Sequence, residues 1–302
     1  MLIRNFDDLT NYLTQLGRRQ RLSVVMAEDS STQEAILRAL KGGFISVIFV
    51  GSVDAVRKND AFLNFAEHID FVDADTPEDA CQKAVALVRN HKADVLMKGL
   101  VNTDKLLRAI LNKEEGILQK GKVLTHISAA KLADYDKLLF FTDPAVIPYP
   151  TIDQRRAQIE YLQKILVSFG IQQPRIALIH CTEKVNEKTF PFTIDYATIV
   201  EEAKDGRWAP CIIDGPLDLK TSICRESMMT KGIHSPIDGH ADAVIFPDIQ
   251  AGNVFFKTIT FIPSTKIACC IQGTDAPVVL TSRSDSTETK FLSIALATLN
   301  TL

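Results

Sequence analysis

Short apolar runs alternate with amphipathic segments along the whole chain, and this alternation limits the possible folds more than any other feature. It predicts strands over 22–27 and 46–50, with a helix over 32–40 between them. The same order recurs in a predicted helix over 77–90 and a predicted strand over 94–97. Alternating strands and helices are typical of parallel sheets that are covered on both faces. We therefore predict an α/β protein with mainly parallel sheets.

The length of 302 residues is sufficient for two domains of ordinary size. Three prolines within 143–150 interrupt regular structure and mark the best boundary, so we predict a first domain over 1–143 and a second from about 144 to 276. The strands of the second domain are predicted over 175–180, 211–214, 243–246 and 267–271. The last strand and helix, from about 278, fit either sheet.

The composition favours a globular protein without a nucleic-acid or membrane partner. Apolar residues make up 46% of the chain, and the formal net charge of −3 gives no general attraction to nucleic acid or anionic lipid. No apolar run reaches the roughly 18 residues of a membrane span, and no secretory signal is recognisable. Six cysteines without a C-x-x-C pair are expected to stay free. We expect a cytoplasmic location.

A strand, a polar turn and a helix are predicted near the C-terminus. Residues 278–280 form an apolar run, and the spacing of Asp285 and Glu288 predicts a capping box at the start of a helix. Ser282 and Arg283 would then lie between a strand end and a helix N-terminus, where α/β proteins bind ligands. Free N–H groups and a guanidinium favour phosphate there. Glu288 fits a general base as well as it fits a cap.

A second strand end also leads through a short turn into a helix. Lys98 and Gly99 close the strand, and Asn102 and Thr103 precede the helix that carries Arg108. Together these side chains and backbone N–H groups are able to bind phosphate. Ordinary turn chemistry explains the same residues, with glycine at the bend, threonine as a cap and arginine as a surface charge.

A third strand end contains Asp248, Gly252 and Asn253, and Asn253 is the expected N-cap of the next helix. Three such strand ends in one chain indicate a cleft lined by strand termini. Their combination is more informative than any one of them.

Metal and nucleotide sites are not predicted. Asp238, His240 and Asp242 alternate and would share a face on a strand, but a polar turn explains them better than a metal does. The G-x-G-x-x-G fingerprint and the Walker phosphate loop are both absent from the sequence.

Five segments carry a resemblance to a known family. They are Met97-Lys98-Gly99-Leu100-Val101, Phe141-Thr142-Asp143, Asp214-Gly215-Pro216-Leu217, Gly252-Asn253 and Ala276-Pro277-Val278-Val279-Leu280-Thr281-Ser282-Arg283. These segments resemble the phosphate butyryltransferase branch of the phosphotransacylases. The likeness covers nearly the whole chain and is most specific in the C-terminal segment.

The resemblance implies exchange between acyl-CoA plus phosphate and acyl phosphate plus CoA. The acyl group would be butyryl or a branched short chain, transferred directly without a covalent intermediate. Coenzyme A would be a substrate, and no tightly bound cofactor is expected. The resemblance also implies two three-layer α/β/α domains of isocitrate/isopropylmalate dehydrogenase-like architecture with an active-site cleft between them. Residues from about 277 to 302 would return to the first domain, and the protein would be a homo-oligomer built on dimers.

The resemblance also assigns roles to individual residues. The catalytic serine–arginine pair of the family corresponds to Ser282 and Arg283, and its phosphate-side arginine corresponds to Arg108. In the acetyl-specific branch, an aspartate seven residues beyond the serine is the proposed base for the CoA thiol. Thr289 occupies that position here, and Glu288 is adjacent. The predicted substrate-binding residues are Lys98, Gly99, Asn102, Thr103, Asp248, Gly252, Asn253 and Asp285.

The resemblance leaves three alternative functions. A phosphate acetyltransferase would use the same residues on a shorter acyl group, and a non-catalytic domain would only sense acyl-CoA. Because Ser282, Arg283 and Arg108 are all present, catalysis is favoured over sensing. A metal-dependent dehydrogenase would need a metal cluster and a nucleotide site that the sequence does not show.

Overall fold

Eleven β-strands and eleven α-helices follow one another along residues 1–302, all of which the computed structural model describes. The strands are β1 (Gln20–Val25), β2 (Ile45–Gly51), β3 (Ile69–Asp73), β4 (Val95–Lys98), β5 (Thr125–Lys131), β6 (Leu139–Thr142), β7 (Arg175–Ile179), β8 (Ile212–Leu217), β9 (Ala243–Ile245), β10 (Lys266–Gln272) and β11 (Val278–Val279). The helices are α1 (Phe6–Leu16), α2 (Ser30–Lys41), α3 (Asp54–Arg57), α4 (Pro77–Arg89), α5 (Thr103–Ile110), α6 (Ile152–Ser168), α7 (Thr193–Lys204), α8 (Leu219–Ile223), α9 (Arg225–Thr230), α10 (Ile249–Thr260) and α11 (Thr287–Leu299). A 3₁₀ segment covers Asp60–His68.

The chain divides into two units. The first unit contains Phe6–Leu124 and Lys266–Leu302, and the second unit contains Met1–Asn5 and Thr125–Thr265. Each unit has a mainly parallel sheet, which confirms the predicted α/β class. None of the helices combines the length and the apolar character that a membrane crossing requires.

The sheet of the first unit has the strand order β3-β2-β1-β4-β11-β10. All neighbours are parallel except β10, which runs antiparallel to β11. The inner strands β1 and β4 are almost entirely buried, as expected for parallel strands that helices cover. Helix α4 packs on β1 and β2, while α11 packs on β10 and β11 and also contacts α2.

The sheet of the second unit has the order β5-β6-β9-β7-β8, in which only β5 is antiparallel to its neighbour β6. The unit boundaries differ from the predicted domain boundaries near 143 and 277. Strand β6 pairs with β9, so residues 125–143 belong to the second unit. Strand β10 pairs with β11 and packs on α11, so it belongs to the first unit and not to the second sheet as predicted.

Two predicted helix starts were wrong. Helix α10 begins at Ile249, where the Asp248 carboxylate accepts a hydrogen bond from the Ala251 amide at 2.9 Å, so Asn253 lies inside the helix and is not its cap. Helix α11 is capped by Ser286, whose hydroxyl accepts from the Thr289 amide at 3.1 Å. Serine and aspartate are equally good N-caps, so local spacing alone does not choose between adjacent candidates.

Helix α6 begins with a complete capping box, whose contribution to stability can be tested by mutation. The Thr151 hydroxyl accepts from the Gln154 amide, and the Gln154 side chain accepts from the Thr151 amide. We expect Thr151→Ala to lower the free energy of unfolding by about 1 kcal/mol, because one helix N–H loses its partner. Urea unfolding measures this change. Thr198→Ala, in the exposed middle of α7, is the matched control and should change stability less. Equal effects of the two substitutions would contradict the capping argument.

Candidate active site

A small pocket of about 100 Å³ lies in the first unit, beyond the C-terminal ends of β4 and β11. These two strands are parallel neighbours, with Val278 opposite Leu96, so the turns that follow them meet at one edge of the sheet. The residues that line the pocket are Asp29, Ser31, Lys98, Gly99, Leu100, Thr281, Ser282, Arg283 and Lys290. Two of the three predicted strand ends therefore share one pocket.

The turn after β4 is held against the end of β1. The Gly99 amide donates to the Val25 carbonyl at 2.8 Å, and the Leu100 amide donates to the Met26 carbonyl at 2.6 Å. A Cβ atom at position 99 would lie 2.3 Å from the Met26 carbonyl oxygen, so only glycine fits this contact. The close approach sets the position of the turn and of Lys98, the residue before it.

Lys98 is a buried cation without a carboxylate partner. The residue is 3% exposed, and its Nζ donates to the carbonyls of Gly99 at 3.2 Å and Val101 at 3.4 Å. Burial lowers the pKa of Lys98 below its ordinary value, and the nearby charges of Arg283 and Lys290 lower it further. Because the Lys98 ammonium is buried without a carboxylate, an anion that enters the pocket would stabilise its charge.

Ser282 and Arg283 lie in the turn between β11 and α11, and both are exposed. The Asp285 carboxylate accepts from the Ser282 amide at 2.7 Å and so folds this turn, while the Ser282 hydroxyl lies 3.0 Å from that of Ser284. The Arg283 guanidinium donates to the Asn102 side chain at 2.5 Å. This bond joins the C-terminal turn to the turn after β4.

Lys290 and Asp29 form a charged pair in the pocket wall that sequence reasoning missed. Lys290 is 3% exposed, and its ammonium donates to Asp29 at 3.0 Å, Ser31 at 2.6 Å and Thr32 at 3.1 Å. Burial acts to raise the pKa of Asp29, but hydrogen bonds from Ser31, Thr32 and Lys290 outweigh it and hold the pKa well below its usual range. A lysine directly before the apolar run of α11 was the signal that the sequence offered.

Glu288 does not line this pocket. Its carboxylate accepts from Arg38 at 2.5 Å and lies 3.8 Å from the Lys266 ammonium. Two helical residues correspond to a rotation of about 200°, so Glu288 faces away from the side of α11 that carries Lys290. The structure therefore places Glu288 in an ion pair between α11 and α2, and the predicted cap role is wrong.

Arg108 and Thr103 are likewise outside the pocket. Thr103 is the exposed first residue of α5, and Asn102 occupies the N-cap position without a side-chain capping bond. The side chain of Arg108 is 83% exposed and lies 3.8 Å from Asp104, in a groove between α4 and α5 that Glu78 also lines. Arg108 follows Thr103 by five helical residues, so the two side chains differ by a net angle of about 140° around the axis of α5. Arg108 and Thr103 therefore lie on different faces of this helix.

The third predicted strand end lies in the second unit, around the buried carboxylate of Asp143. This carboxylate accepts from the Thr125 hydroxyl at 2.7 Å and from the amides of Ala145 and Val146, both at 2.8 Å. A Cβ atom at position 252 would lie 2.5 Å from the Asp143 carbonyl oxygen, so Gly252 permits α10 to approach this turn. Asp143 was part of the resemblance but was not predicted as a site residue.

Asp248 and Asn253 complete this turn of the second unit. Asp248 caps α10, and the Asn253 side chain donates to the Pro144 carbonyl at 3.0 Å. Both side chains therefore hold backbone in place, and they organise the region around Asp143.

The alternating polar residues near position 240 do not converge on a common point. Asp242 pairs with Lys137 at 2.5 Å, Asp238 lies 3.1 Å from Arg225, and His240 is exposed. No group of three or more His, Cys, Asp or Glu side chains in the chain has a metal-binding arrangement.

The Asp29–Lys290 pair predicts a pH-dependent contribution to stability. Asp29→Asn keeps a capping side chain but leaves the Lys290 ammonium buried without a carboxylate, so we expect a loss of about 3 kcal/mol in unfolding free energy at pH 7. Because the folded-state pKa of Asp29 is depressed, its stabilisation is present above its unfolded pKa of about 4 and is lost as the pH falls further. Urea unfolding of wild type and variant at pH 7 and at decreasing pH measures both effects.

The partly exposed pair of Asp79 and Lys83 provides the control for this prediction. Asp79→Asn should lower the free energy of unfolding less than Asp29→Asn, because water screens the charges of a pair that it reaches. A stability difference between Asp29→Asn and wild type that did not shrink on acidification would contradict the charge-pair explanation.

The chain is similar to a family of acyltransferases in sequence and in structure. The family model described as "Phosphate acetyl/butaryl transferase" matches residues 66–298. The phosphate butyryltransferase of Clostridium acetobutylicum is 37% identical over 299 residues, which are 99% of this chain and 98% of that protein. The phosphate acetyltransferase of Thermotoga maritima is 34% identical over 282 residues, or 93% and 95%. The solved structure of a branched-chain phosphotransacylase from Enterococcus faecalis matches with a TM-score of 0.82 at 28% identity, covering 93% of this chain and 99% of that one.

Proposed function

The chain belongs to the family of phosphate acetyl- and butyryltransferases, and we propose that it moves a butyryl or branched short-chain acyl group directly between coenzyme A and phosphate. The family confirms the resemblance inferred from the sequence motifs and makes the protein a phosphate acyltransferase. The observation that carries the proposal is the pocket in which Lys98, Ser282 and Arg283 meet at two strand ends. Coenzyme A is a substrate in this proposal.

The charges of the pocket suit an anionic substrate. Lys290 is paired with Asp29, and the Asp285 carboxylate, which accepts from the Ser282 amide, is not among the residues that line the pocket. Arg283 then remains as an unpaired positive charge, and Lys98 adds a second one whenever it carries its proton. Arg283 offers a planar fork of donors that matches phosphate geometry, and its bond to Asn102 holds the fork at the mouth of the pocket.

Direct acyl transfer requires that the two substrates be held in line and that a developing oxyanion be stabilised. Attack of a thiol on an acyl phosphate, or of phosphate on a thioester, gives a tetrahedral intermediate with a negative oxygen. The exposed hydroxyl of Ser282 and the guanidinium of Arg283 are donors positioned by a folded turn, which is the arrangement that stabilises such an oxygen. Holding both reactants in one site supplies much of the remaining acceleration.

The roles of Arg108 and Glu288, the oligomeric state and the location are proposed from the family resemblance. Arg108 is assigned to phosphate in this way, although its exposed guanidinium lies outside the pocket, and Glu288 is assigned as a base although Arg38 holds it. Assembly into homodimers and a cytoplasmic location belong to the same proposal. Six free cysteines fit a reducing compartment.

The catalytic proposal predicts a large loss of turnover when either donor is removed. Ser282→Ala and Arg283→Ala should each lower kcat for thiol release from butyryl-CoA in phosphate by about a hundredfold to a thousandfold, because one oxyanion donor disappears. A thiol-reactive dye measures the released CoA. Ser52→Ala and Arg18→Ala, at exposed positions outside the pocket, are the matched controls. Near-normal rates in both pocket variants would contradict the assigned roles.

A sensing domain gives a different result in the same experiments. It would be stabilised by CoA or acyl-CoA in a thermal shift assay but would release no thiol in phosphate, in wild type or in any variant. The presence of Ser282 and Arg283 in one pocket favours turnover.

The acyl preference is a further prediction of the proposal. The relatives act, by their names, on butyryl, acetyl and branched-chain groups, and the 37% identity to the butyryl enzyme favours four-carbon acyl groups. One methylene in an apolar pocket changes discrimination by about tenfold to two-hundredfold. We expect kcat/KM for butyryl- or isobutyryl-CoA to exceed that for acetyl-CoA by at least about tenfold in a thiol-release assay. A preference for acetyl-CoA would instead identify a phosphate acetyltransferase.

A further inference from the structure

Acyl transfer between CoA and phosphate moves a proton, and the Ser282–Arg283 pair cannot accept it. A guanidinium does not lose its proton in proteins, and an alkyl thiol such as that of CoA is mostly protonated at pH 7. The two residues considered from the sequence are engaged elsewhere. Glu288 is held by Arg38, and the hydroxyl of Thr289 lies 3.1 Å from that of its helix cap Ser286. The acid–base group is therefore expected among the residues that line the pocket.

We infer that Lys98 is the acid–base residue of the reaction, accepting the proton of the CoA thiol and returning it to the departing phosphate. The inference rests on the proposed function and adds a role beyond the substrate binding that the sequence predicts for Lys98. Lys98 lines the same pocket as Ser282 and Arg283, the two groups that would contact the reacting carbonyl and phosphate.

The hydrogen bonds of Lys98 leave it free for this role. Its Nζ contacts only the carbonyls of Gly99 and Val101, at 3.2 and 3.4 Å, and no carboxylate lies within ion-pair distance. An ammonium has three donors, so one position remains for a substrate atom. Lys290, the other buried lysine of the pocket, is committed to three oxygen partners and to the charge of Asp29. The two buried lysines are therefore not equivalent.

Burial and the charged surroundings of Lys98 together lower its pKa. Arg283 and Lys290 oppose the ammonium, whereas Asp29 and Asp285 support it, and burial is the largest influence. Asp29 is compensated by Lys290, and the remaining elements that pack on β4 place no charged side chain in the pocket lining. The pKa of Lys98 is consequently lowered, which is the direction of shift that a lysine acting as a general base requires.

The proton balance of the reaction fits a single acid–base group. The thiol proton passes to the neutral amine of Lys98 while sulfur forms a bond to the acyl carbon, and the carbonyl electron pair moves to the oxygen near Ser282 and Arg283. Collapse of this intermediate restores the carbonyl and breaks the bond from acyl carbon to phosphate oxygen. The Lys98 ammonium then donates its proton to that oxygen. The products are the thioester and hydrogen phosphate, and Lys98 returns to the amine.

The first test removes the amine and supplies one from solution. Lys98→Ala should lower kcat by about a hundredfold to ten-thousandfold, the usual contribution of general acid–base catalysis. Small primary amines added to Lys98→Ala should raise its kcat at least tenfold over the value without amine. Among amines of similar size, the more basic ones should raise kcat further. Lys83→Ala, at a partly exposed lysine of α4 outside the pocket, is the control and should show neither the loss nor the response to amines.

The second test separates proton transfer from charge. Lys98→Arg retains a cation that cannot titrate, so it should be as impaired as Lys98→Ala, whereas a residue that only binds phosphate would tolerate arginine. In wild type, kcat should rise with pH because the neutral amine is the active form. It should reach half of its plateau at a pH below the ordinary pKa of a lysine. This wild-type measurement does not depend on the folding of any variant.

The outcomes distinguish the inference from the proposed function. Wild-type protein that releases no thiol from acyl-CoA in phosphate would overturn the proposed function itself. Wild-type turnover combined with an active Lys98→Arg, with amine-insensitive Lys98→Ala, or with a flat pH profile of kcat would overturn only the role of Lys98.

Discussion

The parallel pairing of β11 with β4 determines where most of the candidate functional residues lie. It places position 278 opposite position 96, and so it brings the turn that begins at Lys98 beside the turn that contains Ser282. The contact of Gly99 with the end of β1 then fixes the first turn, and the bond from Arg283 to Asn102 joins the second turn to it. Without this strand pairing the hydroxyl, the guanidinium and the buried ammonium would have no common pocket.

The pocket contains two buried lysines, one paired with a carboxylate and one without such a partner. Lys290 meets a carboxylate and two hydroxyls, so its charge is balanced and it supports the wall formed by the start of α2. Lys98 meets only carbonyl oxygens, so burial weakens its hold on a proton. One charge therefore contributes to the architecture of the pocket, and the other remains available to a substrate. Because a buried charge is costly unless it is paired, an unpaired lysine beside a candidate catalytic serine is a functional signal.

Local patterns were sufficient to predict much of the fold and part of the candidate site. Apolar runs identified β1, β2, β4 and β7, and the proposal that strand ends meet followed from the parallel arrangement. The same patterns failed at α11, where Asp285 and Ser286 are both good caps and the structure uses the serine. They also placed β10 in the wrong unit, because an apolar strand does not reveal which sheet it will join.

The sequence by itself determined the α/β class, the family and the polar turns that follow its strands, since these depend on residue periodicity and on short motifs. Only the tertiary structure decided which charges meet. Arg38 binds Glu288, 250 positions away, and Lys290 binds Asp29, 261 positions away. The burial of Lys98 without a carboxylate was equally invisible in the sequence. Local spacing encodes secondary structure, whereas ion pairs and burial arise from packing between segments that are distant along the chain.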